Sequence, residues 1–268
     1  FLDEVGYASL MKALPLFRQN KPVTFLGDHL QLPPVCEVTE LGRNSTYDKL
    51  VLWAESAIYA GCMFKSEMTV QSLLENYLRD RHDRIPEMKK MELNTTFRFP
   101  ANLAALLDKY VYKNGFHSNL DRREMELTCL NAVKDTNDLR RTSLNEVVAI
   151  RRYLTENAGR LGSYVILTPY RKQLDLLGKY MPDERKDMNI LTVHKSQGRE
   201  WDTVILSVVD TRDMWFSDSK NRISRGLNVL NTAISRAKKR IVIACDRSYW
   251  IAQRGQLLSE IIRTCNLK

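Results

Sequence analysis

At 268 residues, with 44% hydrophobic, 27% charged and 9% aromatic side chains, the chain is long enough for one large domain or two ordinary ones and too apolar to be a disordered polymer. Its 41 Lys and Arg against 32 Asp and Glu give a formal charge of +9, which favours an anionic partner such as nucleic acid or a phosphorylated ligand, although a solvated basic surface gives the same total. Five cysteines (Cys36, Cys62, Cys129, Cys245 and Cys265) lack the spacing of a zinc site or a disulfide framework, no apolar run approaches the ~20 residues that span a bilayer, and the first residues lack a secretory signal pattern. The expectation is a reducing, intracellular setting without a membrane: cytoplasmic, or nuclear in a eukaryote.

In chain order, FLDEVGYAS reads as the end of a buried strand followed at once by Asp3 and Glu4. PVTFLGD, 22 to 28, predicts a second strand, and TYDKLVLWAESAIYA, 46 to 60, a helix. PANLAALLDKYVY, 100 to 112, predicts a helix opened by Pro100, and SLNEVVAIRRYLTEN, 143 to 157, one opened by Ser143 with Glu146 three residues on. Strands follow at 163 to 169, 188 to 194 and 202 to 210, then a helix over 226 to 239 and a strand over 239 to 246. The stretches 179 to 187 and 211 to 226 read as polar connections. Near-continuous apolar strands alternating with helices indicate an α/β fold whose parallel sheet is covered on both faces, a doubly wound domain over 92 to 268. Residues 1 to 91 hold two strand candidates and then helices, which reads as part of another α/β unit.

Ligands of open α/β sheets collect at strand ends, so polar residues there are the candidates. Asp3 and Glu4 suit a magnesium ion and the activation of a water, though an Asp-Glu pair is also common as plain solvated surface. In GDHLQLPPV, Gln31 sits in a turn stiffened by Pro33 and Pro34 and carries an amide able to donate to a phosphate oxygen. NTTFRFP brings an aromatic face, Phe97, next to a guanidinium, Arg98; a core phenylalanine beside a surface arginine is the plainer alternative. In LTVHKSQGREWD, Thr192, His194 and Ser196 alternate at a strand mouth, and Gly198 permits a tight approach before Glu200. Arg236 is expected on a helix whose Leu227, Val229, Leu230, Ala233 and Ile234 face the sheet, and the following Lys238, Lys239 and Arg240 read equally as phosphate contacts or as a solvated helix end.

Taken in order, DEVGYAS, GDHLQLPP, TFRFP, TPYRKQ, TVHKSQGREWD and NTAISRAKK resemble motifs II and III, the aromatic-arginine motif, and motifs IV, V and VI of superfamily 1 helicases, in the branch with GDxxQLPP and QGxE. The resemblance implies P-loop NTPase, RecA-like parallel sheets: one complete second RecA-like domain and a partial first one. It also implies ATP and Mg2+ as ligands and single-stranded DNA or RNA as partner. By similarity, Asp3 holds magnesium through water, Glu4 is the general base, Gln31 senses the γ-phosphate, and Arg98 and Arg236 reach it. Phe97 stacks on adenine, Gly198 and Glu200 border the nucleotide, and Tyr170, Gln173, Thr192, His194 and Ser196 touch the strand. Tyr7 departs from the Gln that many relatives carry there.

A phosphate-binding loop, GxxxxGK followed by Ser or Thr, has no counterpart: the sole Gly-Lys, Gly178-Lys179, is followed by Tyr180 and has Gln173 in the place of the first Gly. The expectation is therefore a part of a longer helicase, inactive as an ATPase by itself and completed by a missing amino-terminal part of the same protein. The alternative is a non-catalytic nucleic-acid or protein-binding module on a helicase scaffold. A metal-dependent nuclease using Asp3 and Glu4 lacks a clustered third acid and lysine.

Overall fold

A computed structural model describes residues 1–4, 6–8, 24–28, 30–32, 91–121, 124–135, 141–211 and 226–267. They fall into two compact units, one drawn from Phe1–Leu93 and the other from Asn94–Lys220 and Arg225–Lys268. The helix expected over 46 to 60, the turn at Pro33 and Pro34, and nearly all of the 211 to 226 connection lie outside the described residues.

In the first unit, the two apolar stretches expected to be strands meet through a parallel bridge between Leu2 and Phe25. Leu2 N donates to Thr24 O and Leu26 N to Leu2 O, both at 2.8 Å. The pairing is brief, because Glu4 has φ 53 and accepts from Tyr7 N and Ala8 N, which turns the chain immediately after Asp3. Leu2 is half-buried and Phe1 is exposed, so among the described residues the expected buried strand end is only partly covered.

The second unit opens with a two-stranded parallel pair, β1 (Thr95–Thr96) and β2 (His117–Ser118), around α1 (Ala101–Leu107), which continues as a wider π-helical turn over Asp108–Tyr112. Its main sheet is built from β3 (Glu126–Asn131), β4 (Tyr164–Thr168), β5 (Ile190–Thr192), β6 (Trp201–Ser207), β7 (Ala237–Cys245) and β8 (Asn266–Leu267). All pairs are parallel, in the order β5-β4-β6-β7-β3-β8. The crossovers are helical. They are α2 (Leu144–Glu156), α3 (Arg171–Tyr180) with α4 (Pro182–Lys186), α5 (Gly226–Ile234), α6 (Arg247–Ala252) and α7 (Leu257–Thr264).

The period-2 alternation of the strands divides the core between two faces. Leu130, Ile166, Ile205, Val242 and Ala244 pack with Val147, Ile150 and Tyr153 of α2 and Leu177 of α3. The alternate residues Cys129, Val165, Leu167, Val204, Leu206, Ile241 and Ile243 are also buried, as a sheet covered on both faces requires. The parallel α/β class expected from the apolar runs is what forms.

Some boundaries differ from the sequence reading. Ala237 to Lys239, expected as the end of a helix, are instead the first residues of β7. Strand β3 was not expected at all, because only Leu127 and Leu130 are strongly apolar in ELTCLN, yet it lies between β7 and β8. The 179 to 187 connection contains the short helix α4, with Pro182 at its first position. Pro100 caps α1 instead of opening it.

Candidate functional site

In the first unit the parallel bridge places Asp3 and Glu4 just beyond one strand and Gly27 and Asp28 just beyond the other, at the same end of the pair. Asp3 Oδ1 accepts from Glu4 N at 2.8 Å, and both residues are exposed. Asp28 organises the next turn: Oδ1 accepts from Leu30 N at 2.9 Å and Oδ2 from Gln31 Nε2 at 3.0 Å, which fixes the direction of the Gln31 amide.

In the second unit a set of charges gathers at the amino ends of β6 and β7. The registers Trp201↔Ala237 and Thr203↔Arg240 leave Lys238 and Lys239 opposite the single residue Asp202, a bulge in β7. Consecutive strand residues normally point to opposite faces. The bulge lets both lysines find carboxylates, Lys238 on Glu200 and Lys239 on Asp202 at 2.8 Å. The second oxygen of Glu200 takes Arg98 Nε at 3.0 Å, and Arg98 Nη1 donates to Ser235 O at 3.3 Å. Hydrogen bonding from Lys238, followed by the field of both cations, holds the Glu200 carboxyl below its ordinary range, so it is an anion at neutral pH.

Arg236 corrects an expectation. It lies in the two-residue turn after α5, not on the helix, because Ser235 and Arg236 close the chain into β7. Its side chain is 5% exposed, with Nε donating to Thr232 O at 3.1 Å and Nη2 to Ser235 Oγ at 3.4 Å. Ser235 therefore bonds both expected arginines, one through its carbonyl and one through its hydroxyl. Phe97, 68% exposed, offers a bare ring one residue before Arg98 in the chain. Gly198 has φ +70, the left-handed region that favours glycine, and a Cβ there would meet nothing within 4 Å.

The carboxyl ends of β4 and β6 form the point where connections leave the sheet in opposite directions, the usual ligand crevice of such folds. Here it is filled by the protein's own polar side chains. Gln173, 0% exposed, accepts from Ser143 N at 2.8 Å and donates to Ser143 O at 3.1 Å and Ser207 Oγ at 3.0 Å. Ser143 caps α2 as expected, accepting from Glu146 N at 3.3 Å, but Gln173 takes the backbone N–H that Glu146 would hold in a full capping box. Glu146 turns inward instead, taking Ser207 Oγ at 2.6 Å and Val209 N at 2.8 Å. Burial pushes its carboxyl up to about 8, so it is mostly protonated at neutral pH. Val209 is held at φ 69, which a β-branched residue rarely adopts.

Tyr170 donates to Asp210 Oδ1 at 2.5 Å beneath the Arg141 guanidinium, and Trp250 Nε1 donates to Asp210 O at 3.0 Å. These contacts revise the reading of the strand-touching residues. Gln173 and Ser196 are fully buried, Ser196 donating to Val193 O at 2.7 Å, so both brace the scaffold and present no atom to a ligand. Tyr170 is buried with its hydroxyl engaged. Thr192 and His194 remain half-buried at the mouth of β5, where burial, and then the Arg171 charge, lower His194 and keep it neutral at neutral pH. Sequence reasoning saw Glu146 only as a capping residue and missed Ser207 and Asp210; an acid on the same helix face as Val147 and Ile150 was the available signal.

Residues 131–248 match the family described as AAA domain. An uncharacterized ATP-dependent helicase of Methanocaldococcus jannaschii is 22% identical over 98% of this chain and 37% of its own length. The DNA replication ATP-dependent helicase/nuclease DNA2 of Gallus gallus is 26% identical over 91% of this chain and 22% of its own length. These likenesses support the resemblance to the carboxyl-terminal part of superfamily 1 helicases. The chain spans well under half the length of either relative. Its six-stranded sheet is parallel throughout, as the α/β class that the motif order implied requires. Among solved structures, the PRRSV helicase aligns with 92% of the chain and 34% of its own length, at 20% identity and TM-score 0.46. Among the described residues no helix is long and apolar enough to cross a membrane.

Proposed function

We propose that this chain is part of an ATP-dependent nucleic-acid helicase or translocase that couples ATP hydrolysis to movement along single-stranded DNA or RNA. The observation that carries the proposal is the set at the amino ends of β6 and β7: Arg98, Lys238 and Arg236 gathered about Glu200 and Ser235, with the exposed Phe97 one residue before Arg98 in the chain. An aromatic face next to guanidinium groups suits an adenine joined to phosphates. In this reading Arg98 and Arg236 neutralise charge developing on the γ-phosphate, Phe97 stacks on the base, and Gly198 and Glu200 border the nucleotide. Glu4 takes a proton from the attacking water, and the Gln31 amide, aimed by Asp28, contacts the phosphate that is lost.

Asp3 suits a magnesium ion held through water, since one carboxylate with waters and phosphates is the usual magnesium shell, and the bound ion draws charge from the phosphates. Among the described residues there is no group of three or more His, Cys, Asp or Glu that would favour a closed metal cage instead. Thr192 and His194, at the mouth of β5, contact the strand. The phosphate cradle comes from an amino-terminal part of the same protein, so the chain by itself does not hydrolyse ATP, and the whole protein acts inside the cell. The test is ATP hydrolysis by the whole protein with and without single-stranded DNA and RNA, comparing Glu4→Gln with the unsubstituted protein. Stimulated hydrolysis that Glu4→Gln abolishes is expected; equal hydrolysis by both would contradict the assignment.

A further inference from the structure

The carboxylate of Glu200 has two cationic partners of different kinds. Arg98 comes from the bend before α1 and reaches one oxygen through Nε; Lys238 comes from the β7 bulge and holds the other oxygen. The lysine is anchored in the sheet, between the ladder positions Ala237 and Arg240, whereas Arg98 lies outside any strand or helix and is also tied to the rim through Ser235 O. Glu200 itself is 41% exposed at the side chain, so solvent and any entering anion reach the pair.

A guanidinium bound to a carboxylate cannot at the same time give its full charge to a phosphate. If Glu200 had no other partner, an anionic ligand drawing Arg98 away would leave an uncompensated carboxylate beside the ligand's own negative charge. With Lys238 fixed on the other oxygen, the carboxylate stays neutralised as Arg98 turns, and the repulsion toward the ligand is relieved. The bulge matters because without it Lys238 and Lys239 would face opposite sides of the sheet, and only one could lie beside the acids at 200 and 202.

We propose that Lys238 is a positioning residue for Arg98: it holds Glu200 so that Arg98 can exchange that carboxylate for a phosphate oxygen of a nucleotide. This rests on the proposal that Arg98 serves a nucleotide phosphate. In this role Lys238 acts through Glu200 and Arg98.

The experiment is steady-state ATP hydrolysis by the whole protein at saturating single-stranded nucleic acid, for Lys238→Met, Lys238→Arg, Arg98→Ala and the Lys238→Met/Arg98→Ala pair. With Lys238→Met, Glu200 keeps Arg98 for itself, and kcat is expected to fall about 3- to 10-fold, the scale of a partly exposed ion pair, with KM for ATP little changed. Lys238→Arg should restore most of the loss. In the Arg98→Ala background Lys238→Met should produce no further fall, the non-additivity of residues acting through one another. An equal fall in both backgrounds, an unchanged kcat in Lys238→Met, or a change in KM alone would overturn the proposal. Absence of nucleic-acid-stimulated hydrolysis in the unsubstituted protein would overturn the functional reading first, and this inference with it.

Discussion

The two ends of the main sheet use polar residues in opposite ways. At the carboxyl ends of β4 and β6, Gln173, Glu146, Ser207, Tyr170 and Asp210 bond to one another and to the backbone under full or nearly full burial. At the amino ends of β6 and β7, Arg98, Glu200, Lys238, Lys239 and Asp202 pair across a surface that solvent reaches. Buried polar networks stabilise one arrangement because any broken member is left unsatisfied; exposed ion pairs cost little to rearrange. The first end is therefore suited to hold the fold, and the second could rearrange at little cost. In a sheet whose ligand crevice would ordinarily open at the carboxyl ends, the difference shows that motif residues such as Gln173 can be buried there and bonded within the protein, while solvent-reached ion pairs lie at the opposite end.

Substitutions at the two ends should separate activity from stability. Arg236→Ala in the whole protein is expected to lower ATP turnover by roughly 10³-fold, the lower range for an arginine at a transferring phosphoryl group, measured at saturating nucleic acid and normalised to the folded fraction because the side chain is buried and bonded to Thr232 and Ser235. At the other end, Glu146→Ala strands Val209 N and removes a partner from Ser207, and is expected to cost about 2–4 kcal/mol in urea unfolding.

The same residue gives a pH test. With its carboxyl at about 8 in the fold against 4.5 ordinarily, Glu146 retains a proton that the unfolded chain releases between those values. Its contribution is full below the lower value and is lost as pH rises through the upper one. Unfolding at about pH 5.5 and 8.5 should show that decline in the unsubstituted protein and a much flatter profile in Glu146→Gln, which keeps the shape without the titration. The smallest effect is expected for Lys239→Ala: the lysine side chain is 64% exposed, and the loss should stay within about 1 kcal/mol.

The parallel α/β class was legible because VILT, TVILS and RIVIA are continuous apolar runs that only a doubly covered sheet accommodates. Strand β3 was not, since Glu126, Thr128 and Asn131 interrupt its pattern while its burial comes from neighbours far away in sequence. The motif residues were legible as a set, but burial was not. Polar side chains such as Gln173 and Ser196 look like ligand contacts until the fold shows where their hydrogen bonds go. Arg236 was misplaced by one element because Ala237 and the lysines after it continue a helix-like composition, while the β7 bulge that ends the pattern is a tertiary feature.

The central claim, that the amino-end charges serve a phosphate, is tested most directly by the turnover of the Arg98→Ala whole protein at saturating single-stranded nucleic acid, normalised to its folded fraction. The account predicts a fall of about 10³-fold with a melting temperature unchanged to within about 2 °C. Turnover equal to that of the unsubstituted protein would contradict it.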